Sequence, residues 1–269
     1  MKDKITIALA GNPNSGKTTI FNNLTGSRQH VGNYPGVTVD IKEGTFKHDE
    51  VDIKVVDLPG SYSLTAYSEE EMVTRHFILD EKPDVIVDII DASNLERNLY
   101  LAIQLLELRV RMVLAFNMSD VAEKRGIRFD LEKLSALLGV PIIRTVGSRD
   151  EGTENIIHAS FDVLESEETQ TGPKLFYGRE LEEEITKLKT LLAAARPDIE
   201  PDLLKWHAIK LLEHDSDIEG HIQDDNIREA AHDSQQHLRT IFKDNPEIIF
   251  ADRRYGFISG VCTEAVTFT

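Results

Sequence analysis

Predominantly apolar runs cover 5–10, 51–56, 85–90 and 112–116, and two further strand-like stretches cover 39–46 and 142–145. Between them, 17–24, 69–79, 95–108, 131–138 and 153–164 carry apolar positions at helical spacing. Strands that are apolar throughout, rather than alternating, are buried on both faces, and their alternation with helices predicts a mostly parallel sheet covered on both sides. The strands flanking Lys47-His48-Asp49-Glu50 are joined too tightly for a crossover, which predicts an antiparallel hairpin there. The expected fold is α/β, a doubly wound, mostly parallel sheet with one antiparallel edge strand.

The pattern changes at Ser166-Glu167-Glu168-Thr169-Gln170-Thr171-Gly172-Pro173, a polar run that reads as a linker. Beyond it the β signal ends. Leu181, Ile185, Leu188, Leu191 and Leu192 fall on one helical face that stops near Pro197, and a second helix opens at Pro201-Asp202 and carries Leu203, Leu204, Ile209 and Leu212. A third is expected over 224–243 and a fourth after Pro246, together a small all-α bundle. The predicted domains are 1–168 and 169–269.

Composition narrows the classes. A formal net charge of −17 disfavours a nucleic-acid partner, because phosphate backbones reward Lys and Arg. Cys262 stands alone, so no disulfide framework is expected. The first residues lack the apolar core of a signal peptide, and no run is long enough to span a bilayer; the chain reads as soluble and cytosolic in type, or as the soluble piece of something larger.

The chemistry gathers where strands give way to loops. Gly11-x-x-x-x-Gly16-Lys17-Thr18 follows a strand and opens a helix, the setting of a phosphate-binding loop. Its backbone N–H groups would form an anion nest at a helix N-terminus. Lys17 would reach the β and γ phosphates and the Thr18 hydroxyl would ligate Mg²⁺. Gly11, Asn14, Ser15, Gly16, Lys17, Thr18 and Thr19 form the expected phosphate-side set. Asn117-Met118-Ser119-Asp120 follows the strand 112–116, at the edge where ligands of such sheets bind. The Asp120 carboxylate there can accept two hydrogen bonds from guanine N1–H and its amino group, which adenine does not offer; Ser119 or Asp120 also reads as an ordinary helix cap. Asp57-Leu58-Pro59-Gly60 ends another strand, placing Asp57 to hold Mg²⁺ through water and the Gly60 N–H to donate to the γ-phosphate. Thr38, in Val31-Gly32-Asn33-Tyr34-Pro35-Gly36-Val37-Thr38, is the hydroxyl best placed to complete Mg²⁺ coordination in a switch loop, with Thr25, Ser27 and Thr45 as rivals.

The order GNPNSGKT, VGNYPGVT, DLPG, NMSD and then Val146-Gly147-Ser148 resembles a translation-factor-class small G protein, a P-loop GTPase. More narrowly, DLPGSYSLT from Asp57, DASNLERNLYL from Asp91 and ADRRYGFI from Ala251 resemble the N-terminal cytosolic part of the FeoB family of bacterial ferrous-iron transport proteins. The resemblance implies GTP and GDP as ligands and a helical part like a nucleotide-dissociation inhibitor. It also implies a C-terminal membrane transport domain in the same full-length protein, at the cytoplasmic face of the inner membrane, and a homo-oligomer is compatible with it. In cation-activated members of the class the second loop asparagine, here Asn14, helps hold K⁺ beside the phosphates, with Asn33 as the matching switch-loop asparagine. That ion would stand in for an arginine finger. Asn12 reads as turn chemistry.

Two positions depart from the pattern. Ser61 follows Gly60 where Ras-like proteins carry a water-orienting Gln, so the attacking water is expected to be held by backbone and intrinsic hydrolysis to be slow. The last base-contacting loop, Thr145-Val146-Gly147-Ser148-Arg149, lacks a clear Ser-Ala-Lys, leaving Gly147 and Ser148 N–H groups as the expected contacts to the guanine oxygen. The competing readings are a free-standing Era-like GTPase acting on RNA or the ribosome, against which the acidic balance weighs, and a nucleotide kinase, in which Asn117, Asp120 and Thr38 would have no role. His207, His214, His221, His232 and His237 are expected in surface or capping roles, and Trp206 in the core.

Overall fold

A computed structural model describes residues 3–26, 29–34, 39–65, 67–166 and 175–269. The chain forms two compact units, Met1–Leu106 with Val110–Pro173 and Ser259–Thr269, and Glu107–Arg109 with Lys174–Ile258.

The first unit is built on β1 (Lys4–Gly11), α1 (Lys17–Thr25), β2 (Gln29–Asn33), β3 (Asp40–His48), β4 (Val51–Asp57) and α2 (Glu69–His76). It continues through β5 (Val85–Asp91), α3 (Leu95–Glu107), β6 (Met112–Asn117), α4 (Ser119–Lys124), β7 (Ile127–Phe129), α5 (Leu131–Leu138), β8 (Ile142–Arg144) and α6 (Thr153–Glu165). Seven strands lie in the order β2-β3-β4-β1-β5-β6-β8. β4, β1, β5, β6 and β8 pair in parallel, while β3 runs antiparallel to β4 across the short Lys47–Glu50 turn, as its tightness requires. β2 adds a strand antiparallel to β3, in a stretch whose glycine and mixed polar residues give no strand period.

Both sheet faces are buried. Ile5, Ile7, Leu9, Ile53, Val55, Val85, Val87 and Ile89 join Ile20 and Phe21 of α1 and Ile156 and Ile157 of α6 in one core cluster. The alternate positions Ala8, Ala10, Val56, Ile86, Ile90, Leu114 and Phe116 are equally buried, which is why these strands read as continuous apolar runs. A carboxylate side chain sits among them at 0% exposure: Asp88 on β5.

The second unit holds α7 (Arg179–Ala195), α8 (Leu204–Leu212), α9 (Ser216–His221), α10 (Asp225–Phe242) and most of α11 (Pro246–Ala265). Leu181, Ile185, Leu188 and Leu192 of α7 are buried, as are Leu204, Ile209, Leu212 and Trp206 of α8. α9 is the helix the apolar pattern does not announce; Asp215 caps it by accepting from the Ile218 N–H. Buried Arg254 pairs with Glu107 at 2.7 and 3.0 Å and with Glu213, and Lys210 meets Glu213 at 2.9 Å. Burial raises the Glu213 pKa, but Arg254 and Lys210 outweigh it and hold the carboxyl at about 2.

The contact units divide the chain differently from the predicted domains, and Glu107–Arg109 group with the helical unit. The predicted 169–269 domain includes Ser259–Thr269, which pack with the sheet unit instead. The reason is a second, two-stranded sheet in which β9 (Val266–Phe268) runs antiparallel to β7. The 166–173 linker lies largely outside the described residues. Among the described residues no helix is long and apolar enough to cross a membrane.

Candidate functional site

The parallel strands β1, β4 and β6 all deliver their carboxyl ends to one edge of the sheet, and the predicted motifs sit there. β1 ends at Gly11 and the loop closes as a turn, with Ser15 N–H donating to Asn12 O at 3.1 Å. Asn14 takes a left-handed φ of 67° and is exposed, and Gly16 takes φ 88° as it opens α1. A Cβ on Gly16 would lie 2.1 Å from Asn117 Nδ2, so both the backbone sign and the close approach require glycine. Thr18 and Thr19 are exposed in the first turn of α1, whereas Ser15 is buried and its hydroxyl has no hydrogen-bond partner among the described residues.

Lys17 and Asp57 are both buried and form a direct ion pair. The segment after Asp57 is fastened to the phosphate loop: Leu58 N–H donates to Leu9 O at 3.0 Å and Ser61 N–H to Gly11 O at 3.1 Å. The Ser61 hydroxyl lies 3.0 Å from Thr74 Oγ1 on α2 and donates to Pro59 O at 3.2 Å.

Asn117 is the centre of the site. It is buried at the end of β6, its Nδ2 donates to Ser15 O at 2.8 Å, and its Oδ1 accepts from Gly147 N–H at 2.9 Å. One side chain thus straps the 11–18 loop to the 145–149 loop. Met118 follows with φ 57°, a left-handed conformation for a residue with a Cβ. Asp120 lies just beyond on α4, and its carboxylate meets Arg149 at 2.7 Å and Lys124 at 3.5 Å. Partial desolvation raises its pKa, but the Arg149 and Lys124 charges outweigh that and hold the carboxyl below its ordinary value. Ser148 is exposed beside buried Gly147.

The edge therefore brings together Gly11, Asn14 to Thr19, Asp57, Gly60, Asn117 to Asp120, Gly147 and Ser148. Thr38 and the side chain of Asn33 lie outside the described residues. Two participants escape the sequence reading. Asn23 on α1 donates to Gly147 O at 2.8 Å, and no spacing rule marks it. Arg149 pairs with Asp120, and its signal was its place in the loop already singled out. Asn12 keeps its turn role, and its side chain also reaches Arg97 O at 3.5 Å. The helical-unit histidines disperse among separate partners: His207 with Leu203 O, His214 with Glu219, His221 with Asp217 O, and His237 with Glu184. Among the described residues no three His, Cys, Asp or Glu side chains converge as a metal site.

Comparison with known proteins matches residues 5–160 to the family described as ferrous iron transport protein B and residues 177–267 to the FeoB cytosolic helical domain. The Fe(2+) transporter FeoB of Escherichia coli (strain K12) is 40% identical over 269 residues, covering 96% of this chain and 33% of that protein. The chain thus spans about a third of the length of the curated relatives it matches. A crystal structure of a GDP-bound point mutant of the S. thermophilus FeoB G-domain superposes with a TM-score of 0.89 at 37% identity, covering 98% of this chain and 100% of that one. The cytosolic domain of T. maritima FeoB in its GMPPNP form gives 0.83 at 30% identity, covering 98% of this chain and 99% of that one.

Proposed function

The chain belongs to the FeoB family of ferrous iron transport proteins, and on that premise we propose that its sheet unit binds GTP and hydrolyses it to GDP and phosphate, slowly on its own, as a switch for iron transport by the full-length protein. The observation that carries this reading is the Asn117 strap, because one buried amide links the phosphate loop to the loop that meets the base, beside the Asp120 carboxylate. The GDP and GMPPNP forms of the two structural relatives support the same ligand class.

The chemistry follows from what each group can do. The loop N–H groups and the α1 N-terminus receive the phosphates. Lys17 leaves Asp57 for the β and γ oxygens, exchanging one anionic partner for another. The donor set suits a hard cation: the Thr18 hydroxyl and the Asp57 carboxylate would hold Mg²⁺, with Thr38 as third ligand, and the ion supplies positive charge to the phosphate oxygens. The Gly60 N–H donates to the γ-phosphate, and with the Ser61 hydroxyl turned toward Thr74 the attacking water is positioned by backbone. Asn14, exposed and left-handed in the loop, would hold K⁺ together with Asn33. Hydrolysis would reset the switch loop and thereby gate a membrane domain.

Nucleotide titration tests the base assignment: GTP should bind at least about 100-fold more tightly than ATP, because a site built to accept guanine N–H groups leaves its acceptors unpaired otherwise. Equal affinity for ATP would overturn it. Turnover should rise in K⁺ relative to Na⁺, and Asn14→Ala should remove that difference.

A further inference from the structure

The loop that carries Asp120 is short of support from its own sequence. Met118 sits at a left-handed φ of 57°, and α4 spans only Ser119–Lys124, too few residues to hold a helix by itself. β7, immediately after it, has three residues and pairs with nothing but β9 among the described residues. The partner comes from the far end of the sequence. Ile127, Arg128 and Phe129 face Phe268, Thr267 and Val266. Asp130 N–H donates to Ala265 O at 2.9 Å, and Thr269 N–H to Gly126 O at 2.8 Å. Lys133 reaches Glu264 at 3.5 Å. On the other side of this small sheet the Phe129 ring meets Phe116 edge-on, centroids 5.7 Å apart, and Phe116 directly precedes Asn117.

We propose that β9 is a brace for the guanine-recognition loop: paired to β7, it holds Phe129 against Phe116 and steadies α4, which carries Asp120, and so slows nucleotide release. The inference rests on the reading of Asn117–Asp120 as the base-recognition motif. A strained loop persists only while its surroundings over-determine it, and a two-stranded ladder is marginal by itself. A displacement of the C-terminal strand therefore reaches the base contacts before it reaches the phosphate loop.

The test compares release of fluorescent GDP and IDP from the full chain and from a chain ended at Ala265. IDP lacks the 2-amino group that Asp120 accepts from. Loss of β9 should speed GDP release about tenfold, the factor of one weakened hydrogen bond, and IDP release distinctly less, so that the two rates converge. Unchanged release, or an equal factor for both nucleotides, would overturn the brace. Should the shortened chain not fold, Gly126→Ala serves in the full chain. Gly126 has φ 78° and its Cβ would lie 2.3 Å from the Thr269 carbonyl oxygen, which pushes the strand end away. Gly139→Ala, at φ 73° at the end of α5, imposes similar backbone strain without touching β9. Gly126→Ala should reproduce the convergence and Gly139→Ala should not; the same effect from both would overturn the proposal. A chain that held ADP as well as GDP would overturn the base assignment and the brace together, whereas selective binding with unchanged release overturns the brace alone.

Discussion

Two buried acidic side chains, Glu213 in the helical unit and Asp88 in the sheet unit, are held in opposite ways. In the helical unit the Glu213 side chain is only 8% exposed, yet Arg254 and Lys210 flank it and its pKa falls to about 2. In the sheet unit Asp88 is fully buried, neither carboxyl oxygen has a hydrogen-bond partner among the described residues, and desolvation pushes its pKa up to about 8. One site keeps a charge by supplying counter-charges; the other keeps a carboxyl group by leaving it protonated. Burial alone does not tell which way an acid moves: its neighbours do.

The largest effect expected from this contrast is on Arg254. Arg254→Leu strands Glu107 and Glu213 without their shared cation, which should cost about 3–5 kcal/mol of helical-unit stability in chemical denaturation. A loss under about 1 kcal/mol, the range of surface pairs, would show that the network is not held out of water. The pH dependence should also be one-sided. The Glu213 contribution is present above its ordinary value of 4.5 and is lost as pH falls from there toward about 2.

Asp88 works in the reverse sense. Its folded pKa is raised, so the stability it lends is full below its ordinary 3.8 and is lost as pH rises to about 8. Asp88→Asn keeps the shape and removes the titration, so the variant should unfold at higher denaturant than the parent at alkaline pH, by on the order of 1–3 kcal/mol, and the gap should close toward acid. A gap that did not vary with pH would mean Asp88 is ionised in the fold. The smallest effect belongs to Ser61, a polar side chain beside the site whose hydroxyl already has Thr74 Oγ1 as partner. Ser61→Ala should change GTP turnover by less than about twofold, since it removes no group that touches the reacting atoms. A large fall would place that hydroxyl in the reaction.

Much of this was legible without coordinates because the relevant signals are local. The continuous runs of β1, β5 and β6 announce burial on both faces, and Gly16-Lys17-Thr18 between a strand and a helix announces a phosphate loop. β7, β9 and α9 were not legible, since elements of three to six residues hold too few periods to register above composition. The pairing of β7 with β9 had no signature at all, because contact between residues so far apart in the chain is a property of the fold.

The sequence by itself determined the element types, the nucleotide motifs, the absence of any span long enough for a bilayer and the expectation that Ser61 orients no water, all of which follow from residue chemistry and short-range spacing. Only the tertiary structure decided that Asn117 straps Ser15 to Gly147, that Arg149 meets Asp120, and that the last residues return to the sheet unit. The reason is physical: hydrogen bonds and ion pairs across the chain depend on where the packed strands deliver each side chain, and that delivery is settled by the core as a whole.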